Sequence, residues 1–346
     1  MDPPTTLTYS RLPSLNLLLD IHIPTSLPLG AHPALIFFHG GGIVTGNREC
    51  LRGQQWLIEV CARNKWMFVS ADYRLLHPSS GFDIISDVKA LFAFLSNPKN
   101  LAPSLPTNVS LDIEKLVVSG ESGGGYPALA AALYATPRPK GLLQQYTMSG
   151  NLLTSFYLSP KPSSTPSPYL EYHDKAGLEA VLKSKAEVAD DAVPYMCFRS
   201  GTGSARGGLL GLWWREGTFV DAVVGRTGFS AKLRGVEGVK EREEMVEGRE
   251  REAVLQLGVK ALGKEFPSTM FLHGKEDTMV LAGESEFLHD RIKEVGGKSE
   301  LLLVEGVGHG LLDEDELKEM RDPLIWGEEA KKAWRRSEEW MIELVK

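Results

Sequence analysis

The sequence predicts an α/β protein with a mostly parallel central sheet flanked by helices and one large, largely helical insertion. Three observations lead there. Short, nearly continuous apolar runs such as PALIFFHG (33–40) and KLVVSG (115–120) suit strands buried on both faces. Segments with apolar residues at helical spacing alternate with those runs, which is the pattern of βαβ units. The alternation stops near residue 154 and resumes near residue 264, so the intervening block is inserted between strands of one sheet.

Taken in order, LNLLLDIHIP (15–24) alternates in part and predicts an early strand. PALIFFHG and WMFVSADYRL (66–75) predict buried strands, with LRGQQWLIEVCARNK between them helical through Trp56, Leu57, Val60 and Cys61. GFDIISDVKALFAFLSN places Ile84, Ile85, Val88, Leu91, Phe92 and Leu95 on one helical stripe, with Pro98 beyond its end. KLVVSG reads as a strand, YPALAAALYA as a helix and LLQQYTMSG (142–150) as a further strand. The block 154–263 begins with the Pro/Ser-rich SPKPSSTPSP and ends in the charged VEGVKEREEMVEGRERE, whose interleaved signs predict a solvated helix face. Strand and helix then return with PSTMFLHG (267–274), a helix near 284–295, ELLLVEG (300–306) and an amphipathic helix from about Pro323 to Val345. The expected division is a core of 1–153 and 264–346 carrying a cap of 154–263.

Composition narrows the function. At 346 residues with 38 Lys and Arg against 45 Asp and Glu, the net charge is −7, and the concentrated basic face that nucleic acid requires is missing. No apolar run approaches membrane-spanning length and the N-terminus lacks a signal pattern, so the expectation is a soluble cytoplasmic protein. Cys50, Cys61 and Cys197 lack metal-ligand spacing and are expected as reduced thiols in or near the core. A homodimer is left open.

The stretch GESGG (120–124) sets Ser122 between a strand and a helix, as G-x-S-x-G requires of an exposed nucleophile. Flanking glycines suit a bend in which any Cβ would collide with the neighbouring strand and helix. A serine hydroxyl is nearly unreactive near neutral pH and needs a base, which in turn needs an orienting carboxylate. Among the downstream histidines, His173 falls in the insertion, His273 closes a strand and His289 looks helical. His309 follows the ELLLV strand between glycines and is the expected base. Asp277 in HGKEDTMV is the expected acid, with Glu276 as its competitor and Met279 and Val280 as the loop's anchor. In FFHGGGIVTGN (37–47) a strand ends in His39 and three glycines, so the amides of Gly41 and Gly42, with that of Gly123, would form an oxyanion hole. GTGSARGG (201–208) begins like a phosphate cradle but has no clear strand before it, and a loop is expected. Tyr126, Trp213 and Trp214 are candidate substrate-contacting residues, with packing between helices as the competing role.

HGGG, DYRL (72–75), GESGGG, HGKEDTMV and GVGHG, in that order and across the whole sheet-forming part, resemble the α/β-hydrolase fold, specifically esterases and lipases similar to hormone-sensitive lipase. The resemblance implies Ser122, Asp277 and His309 as triad, Gly41, Gly42 and Gly123 as oxyanion donors, no metal and no organic cofactor. That group commonly has Asp before the serine, then Ala, Gly, Gly, Asn after it, where this chain has Glu121, Gly123 and Tyr126 at the differing places. DYRL is followed here by LHPSSGF rather than Ala-Pro-Glu. The expected activity is hydrolysis of a small carboxylic ester or lactone. Two alternatives stand beside it: a tailoring enzyme of secondary metabolism using the triad for cyclisation, elimination or C–C cleavage, and a small-molecule receptor that uses the cap as a lid.

Overall fold

The structure is a computed structural model, and it describes residues 1–148, 150–162, 174–191, 205–313 and 326–346. His173, Cys197, most of SPKPSSTPSP, the first half of GTGSARGG and the predicted start of the last helix lie outside the described residues.

Eight strands form one sheet: β1 (Thr5–Arg11), β2 (Asn16–His22), β3 (Gly30–Phe38), β4 (Met67–Ala71), β5 (Val109–Glu121), β6 (Gly141–Gln145), β7 (Ser268–Gly274) and β8 (Ser299–Val304). Their spatial order is β1-β2-β4-β3-β5-β6-β7-β8. β1 and β2 run antiparallel at one edge, and every pair from β4 onward is parallel. The central strands follow from their sequences: Leu35 and Phe37 face one side of β3, Ala34, Ile36 and Phe38 the other, and all five are buried. A strand buried on both faces has no polar alternation to keep. β1, TTLTYSR, was not expected from the sequence. It is a half-exposed edge strand whose inward signal is little more than Leu7 and Tyr9.

Helices cover both faces. α1 (Gln55–Asn64) buries Trp56, Leu57, Val60 and Cys61, as predicted, and ends on Lys65 in the left-handed conformation. α2 (Gly81–Ser96) opens with a capping box in which Ser80 and Asp83 satisfy each other's backbone amides, and it buries the predicted stripe. α3 (Gly125–Tyr134) follows β5 at once. In the block between β6 and β7 the described residues carry α4 (Lys175–Lys183), α5 (Gly207–Glu216), α6 (Phe219–Val224), α7 (Phe229–Arg234) and α8 (Val239–Met245). α9 (Gly283–Glu294) and α10 (Glu328–Val345) complete the core, with Trp334 of α10 stacked on Trp56 of α1 at 5.3 Å. The charged run around α8 keeps the expected solvated face, with Lys240, Glu241 and Glu244 exposed, but two of its charges turn inward. Arg242 and Glu243 are buried, Arg242 donating to Leu153 O at 2.9 Å and Glu243 pairing with Arg291 at 2.6 Å. Interleaved signs here mark ion pairs that tie the block to the core.

The bend from β5 into α3 is built from absent side chains. A Cβ on Gly120 would stand 2.2 Å from Gly124 O, and one on Gly124 would stand 2.1 Å from Phe38 O of the neighbouring strand. Both positions therefore require glycine. Gly124→Ala should destabilise the fold by about 1–3 kcal/mol, read as a lower urea midpoint at unchanged m. Gly283→Ala, where the added methyl would meet only a side-chain oxygen at 3.9 Å, should stay within about 0.5 kcal/mol of wild type.

Candidate active site

Three loops leave the carboxyl edge of the sheet after β5, β7 and β8, and they bring Ser122, Asp277 and His309 together. Ser122 sits on the bend with φ 48°, a left-handed conformation that a non-glycine residue holds only when its surroundings enforce it. Its carbonyl accepts from Met148 N at 3.1 Å, and its hydroxyl lies 3.0 Å from His309 Nε2. On the far side of the ring, His309 Nδ1 is 2.7 Å from Asp277 Oδ2. An ionised carboxylate only accepts, so the imidazole turns an Nδ1–H toward Asp277 and presents Nε2 to the Ser122 hydroxyl. Asp277 Oδ1 accepts from the amides of Met279 and Val280, each at 2.9 Å, and Val280 is buried as the predicted anchor. Burial alone would raise the Asp277 pKa, but His309 and His273 outweigh it and hold the carboxyl below the usual carboxylate range. Glu276, the competing carboxylate, accepts instead from Val307 N at 3.1 Å. His273 lies in β7, one residue before its end. Its Nε2 lies 2.9 Å from Val280 O and 3.3 Å from Asp277 Oδ2, so it is a second imidazole on the same acid. His289 bonds Ser299 Oγ, away from this cluster.

The glycine-rich loop after β3 meets this group from the side. Gly41, Gly42 and Ile43 have successive φ of 98°, 61° and 57°, and Gly41 O accepts from Val44 N and Thr45 N, both at 3.1 Å. A Cβ on Gly123 would stand 2.6 Å from Gly42 N and 2.5 Å from Ile43 N. The amides of the loop and the residue after Ser122 thus pack closer than any side chain would permit, beside the N-terminus of α3 and its positive dipole end.

A model of the alpha/beta hydrolase fold matches residues 35–193 of this chain. Thermogutta terrifontis esterase 2, in a structure described as phosphonylated by sarin, aligns with 99% of this chain and 96% of its own at a TM-score of 0.57 and 17% identity. The chain has the α/β-hydrolase fold. In sequence this hydrolase-fold chain is 35% identical over 130 residues to the "Probable carboxylesterase M8" of Phoma sp., a match spanning 36% of this chain and 41% of that protein. It is 28% identical over 147 residues to the non-reducing polyketide synthase Preu6 of Preussia isomera, 41% of this chain and 6% of the synthase. The chain therefore spans less than half the length of either relative.

Around the three loops of this hydrolase fold the structure places Gln54 and Tyr146, for which the sequence offered no signal. Glu121 is buried, with Gln54 Nε2 donating at 2.6 Å, Tyr146 OH at 2.9 Å and Gly40 N at 3.4 Å. Burial pushes its pKa up despite these donors. The Tyr146 ring meets the His309 imidazole edge to face, with centroids 5.1 Å apart. Tyr126, a substrate-contact candidate, is fully occupied elsewhere: its buried hydroxyl donates to Ala253 O at 2.7 Å and covers Gly81 at the start of α2. Trp213 and Trp214, the other two candidates, are buried in an aromatic cluster with Phe156, Tyr157 and Phe219. The side chain that α5 does lay on the site is Leu210, whose δ-carbon comes within 2.5 Å of where a Gly42 Cβ would be.

His39, at the head of the glycine loop, is fully buried, stacked on Tyr73 at 4.4 Å, with Nδ1 donating to Gly40 O at 2.8 Å. Burial lowers its pKa to about 4 from an unfolded value of 6.5. Between those values the unfolded chain binds the extra proton, so stability rises with pH across that window. From pH 5 to pH 7 His39 should add on the order of 2 kcal/mol to the unfolding free energy. Denaturant titrations at both pH values should show that increment in wild type and lose it in His39→Asn; an increment unchanged by the substitution would mean that His39 is not its source.

Proposed function

We propose that this chain is a serine hydrolase that cleaves a carboxylic ester or lactone of a small organic molecule through an acyl-enzyme on Ser122. The observation that carries the reading is the unbroken relay Ser122 Oγ to His309 Nε2 at 3.0 Å and His309 Nδ1 to Asp277 Oδ2 at 2.7 Å. His309 takes the serine proton as Oγ attacks the carbonyl carbon, and Asp277 orients the imidazole and stabilises the imidazolium that forms. The amides of Gly41, Gly42 and Gly123, with the positive end of α3, stabilise the developing oxyanion. His309 then delivers the proton to the leaving alcohol and activates the water that releases the acid. No step needs a metal or an organic cofactor. The esterase named in the structural comparison and the probable carboxylesterase that matches in sequence support the same reaction class.

The block 154–263 serves in this reading as a cap on the core 1–153 and 264–346, with Leu210 bounding the space above Gly42. Among the described residues no helix is long and apolar enough to cross a membrane. Cys50 and Cys61 are free thiols, which fits a reducing cytoplasm.

The match to part of a polyketide synthase favours one second reading, in which the same triad and oxyanion hole process a natural-product acyl group without net hydrolysis. Product analysis in oxygen-18 water separates the two: hydrolysis through an acyl-enzyme places label in the released acid, and cyclisation or elimination does not.

Ser122→Ala should abolish p-nitrophenyl ester turnover and fluorophosphonate labelling while leaving the circular dichroism spectrum unchanged; labelling retained at another serine overturns the assignment. Asp277→Asn should lower kcat by roughly 10⁴-fold, through loss of the imidazole's correct tautomer.

A further inference from the structure

The glycine loop beside Ser122 holds an unfavourable backbone. Gly41 and Gly42 adopt positive φ freely, but Ile43 at φ 57° is β-branched, and such a residue in the left-handed region costs on the order of 1–3 kcal/mol. Relaxing Ile43 would shift the Gly42–Ile43 peptide relative to Gly123, because Ile43 N lies 2.5 Å and Gly42 N 2.6 Å from where a Gly123 Cβ would stand. Something outside the loop must therefore hold it.

Two contacts do. Ile43 O accepts from Leu76 N at 2.7 Å, and the next carbonyl, Val44 O, accepts from Arg206 Nε at 3.1 Å. The same guanidinium donates through NH2 to Leu76 O at 2.6 Å and to His77 O at 2.8 Å. Arg206 is 7% exposed and stands immediately before α5. Four residues on, one helical turn along the same face, the Leu210 side chain fills the space beside Gly42, a δ-carbon 2.5 Å from where a Cβ would stand. A planar guanidinium with fixed donors suits this task, since it spans carbonyls of two loops at once, and an ammonium offers no such fork. Farther along the loop, Gly46 exchanges both backbone hydrogen bonds with Asp191, and Asn47 donates to Asp190 Oδ1 at 2.8 Å. The inserted block thus grips residues 42–47 along their length.

We propose that Arg206 is a positioning residue for the oxyanion hole: from the inserted block it holds Val44 O directly and Ile43 through the Leu76–His77 loop, and so keeps the left-handed turn at Gly41, Gly42 and Ile43 that sets the Gly42 amide against Gly123. The block is then a built-in wall of the oxyanion hole at this edge. The inference rests on the hydrolase reading for its chemistry.

The test compares wild type with Arg206→Lys and Arg206→Met. Active sites are counted by fluorophosphonate titration, and p-nitrophenyl acetate kinetics are expressed per titrated site. In Arg206→Met, kcat should fall about 10- to 100-fold with KM changed less than about threefold, because a donor displaced by a fraction of an ångström is felt mainly in the transition state. Inhibition by a trifluoromethyl ketone, which forms a tetrahedral adduct on the serine, should weaken in proportion to the loss in kcat/KM. Arg206→Lys should fall between the two, keeping the charge and one donor. A variant with wild-type kcat per site and unchanged ketone affinity, differing only in a lower Tm, would show a purely structural brace and overturn the proposal. Should Arg206→Met fail to fold, Arg206→Lys alone decides it by the same two readouts. Wild type that is phosphonylated at Ser122 yet inert to every ester would fail the ester reading alone, and the variants' phosphonylation rates, which also depend on the oxyanion donors, would still decide the role of Arg206.

Discussion

The site depends on one steric constraint, the lack of room for any Cβ where β5 bends into α3. With Gly120 against Gly124 O, Gly124 against Phe38 O and Gly123 against the amides of Gly42 and Ile43, three backbone segments approach at distances only glycine permits. The bend forces residue 122 into a left-handed conformation and presents its hydroxyl at the carboxyl edge of the sheet. Parallel pairing does the rest. Phe38 lies opposite Gly120, Gly120 opposite Gln144 and Gly274 opposite Val304, so the chain leaves β3, β5, β7 and β8 from the same edge. Loops emerging there converge by topology, as ligand-binding loops of open α/β sheets do.

The electrostatics sort two buried carboxylates that share an imidazole as neighbour. Asp277 has two backbone amides on one oxygen and two histidines on the other, and these interactions overcome the desolvation that would neutralise it. Glu121 is equally buried but receives only neutral donors, and its pKa moves up. Environments that push like groups apart are how a site assigns them different work. Here the anion sits in line with His309 and Ser122, while Glu121 anchors Tyr146 against the edge of the same ring.

The sheet core, the bend and the three converging loops were legible because each is written locally: continuous apolar runs, glycines around one serine, and a histidine and an aspartate just past strand ends. β1 was not, because an edge strand open to solvent needs no apolar run, and TTLTYSR carries only partial alternation. The run around Arg242 and Glu243 does not encode their burial, because their partners, Leu153 and Arg291, lie outside it. Gln54, Tyr146 and Arg206 share that difficulty in a stronger form. Gln54 reaches Glu121 across 67 positions and Tyr146 across 92, and Arg206 reaches Val44 across 162. No local pattern encodes such contacts. Tyr126 shows the converse: its place in the motif is local and legible, but the direction of its side chain depends on Ala253, in the block that packs over it.

The distribution of strained backbone argues that core and inserted block act as one device. Ile43, Ser122, Tyr146 and Leu311 are non-glycine residues with φ between 41° and 57°, and each lies in a loop that lines or adjoins the site. Each is held by a hydrogen bond from elsewhere or within its turn: Leu76 N on Ile43 O, Met148 N on Ser122 O, Tyr146 N on Leu272 O and Leu311 N on Gly308 O. Strain of this kind persists only where the surroundings over-determine the conformation. At Ser122, Tyr146 and Leu311 the sheet and its own loops suffice. At Ile43 the holding residue Leu76 is itself in a loop, next to His77 at φ 61°, and the guanidinium of Arg206 ties those two loops together beside that one hydrogen bond. The glycine loop thus takes support from the inserted block as well as from the sheet, which reaches it through Gly40 N on Glu121.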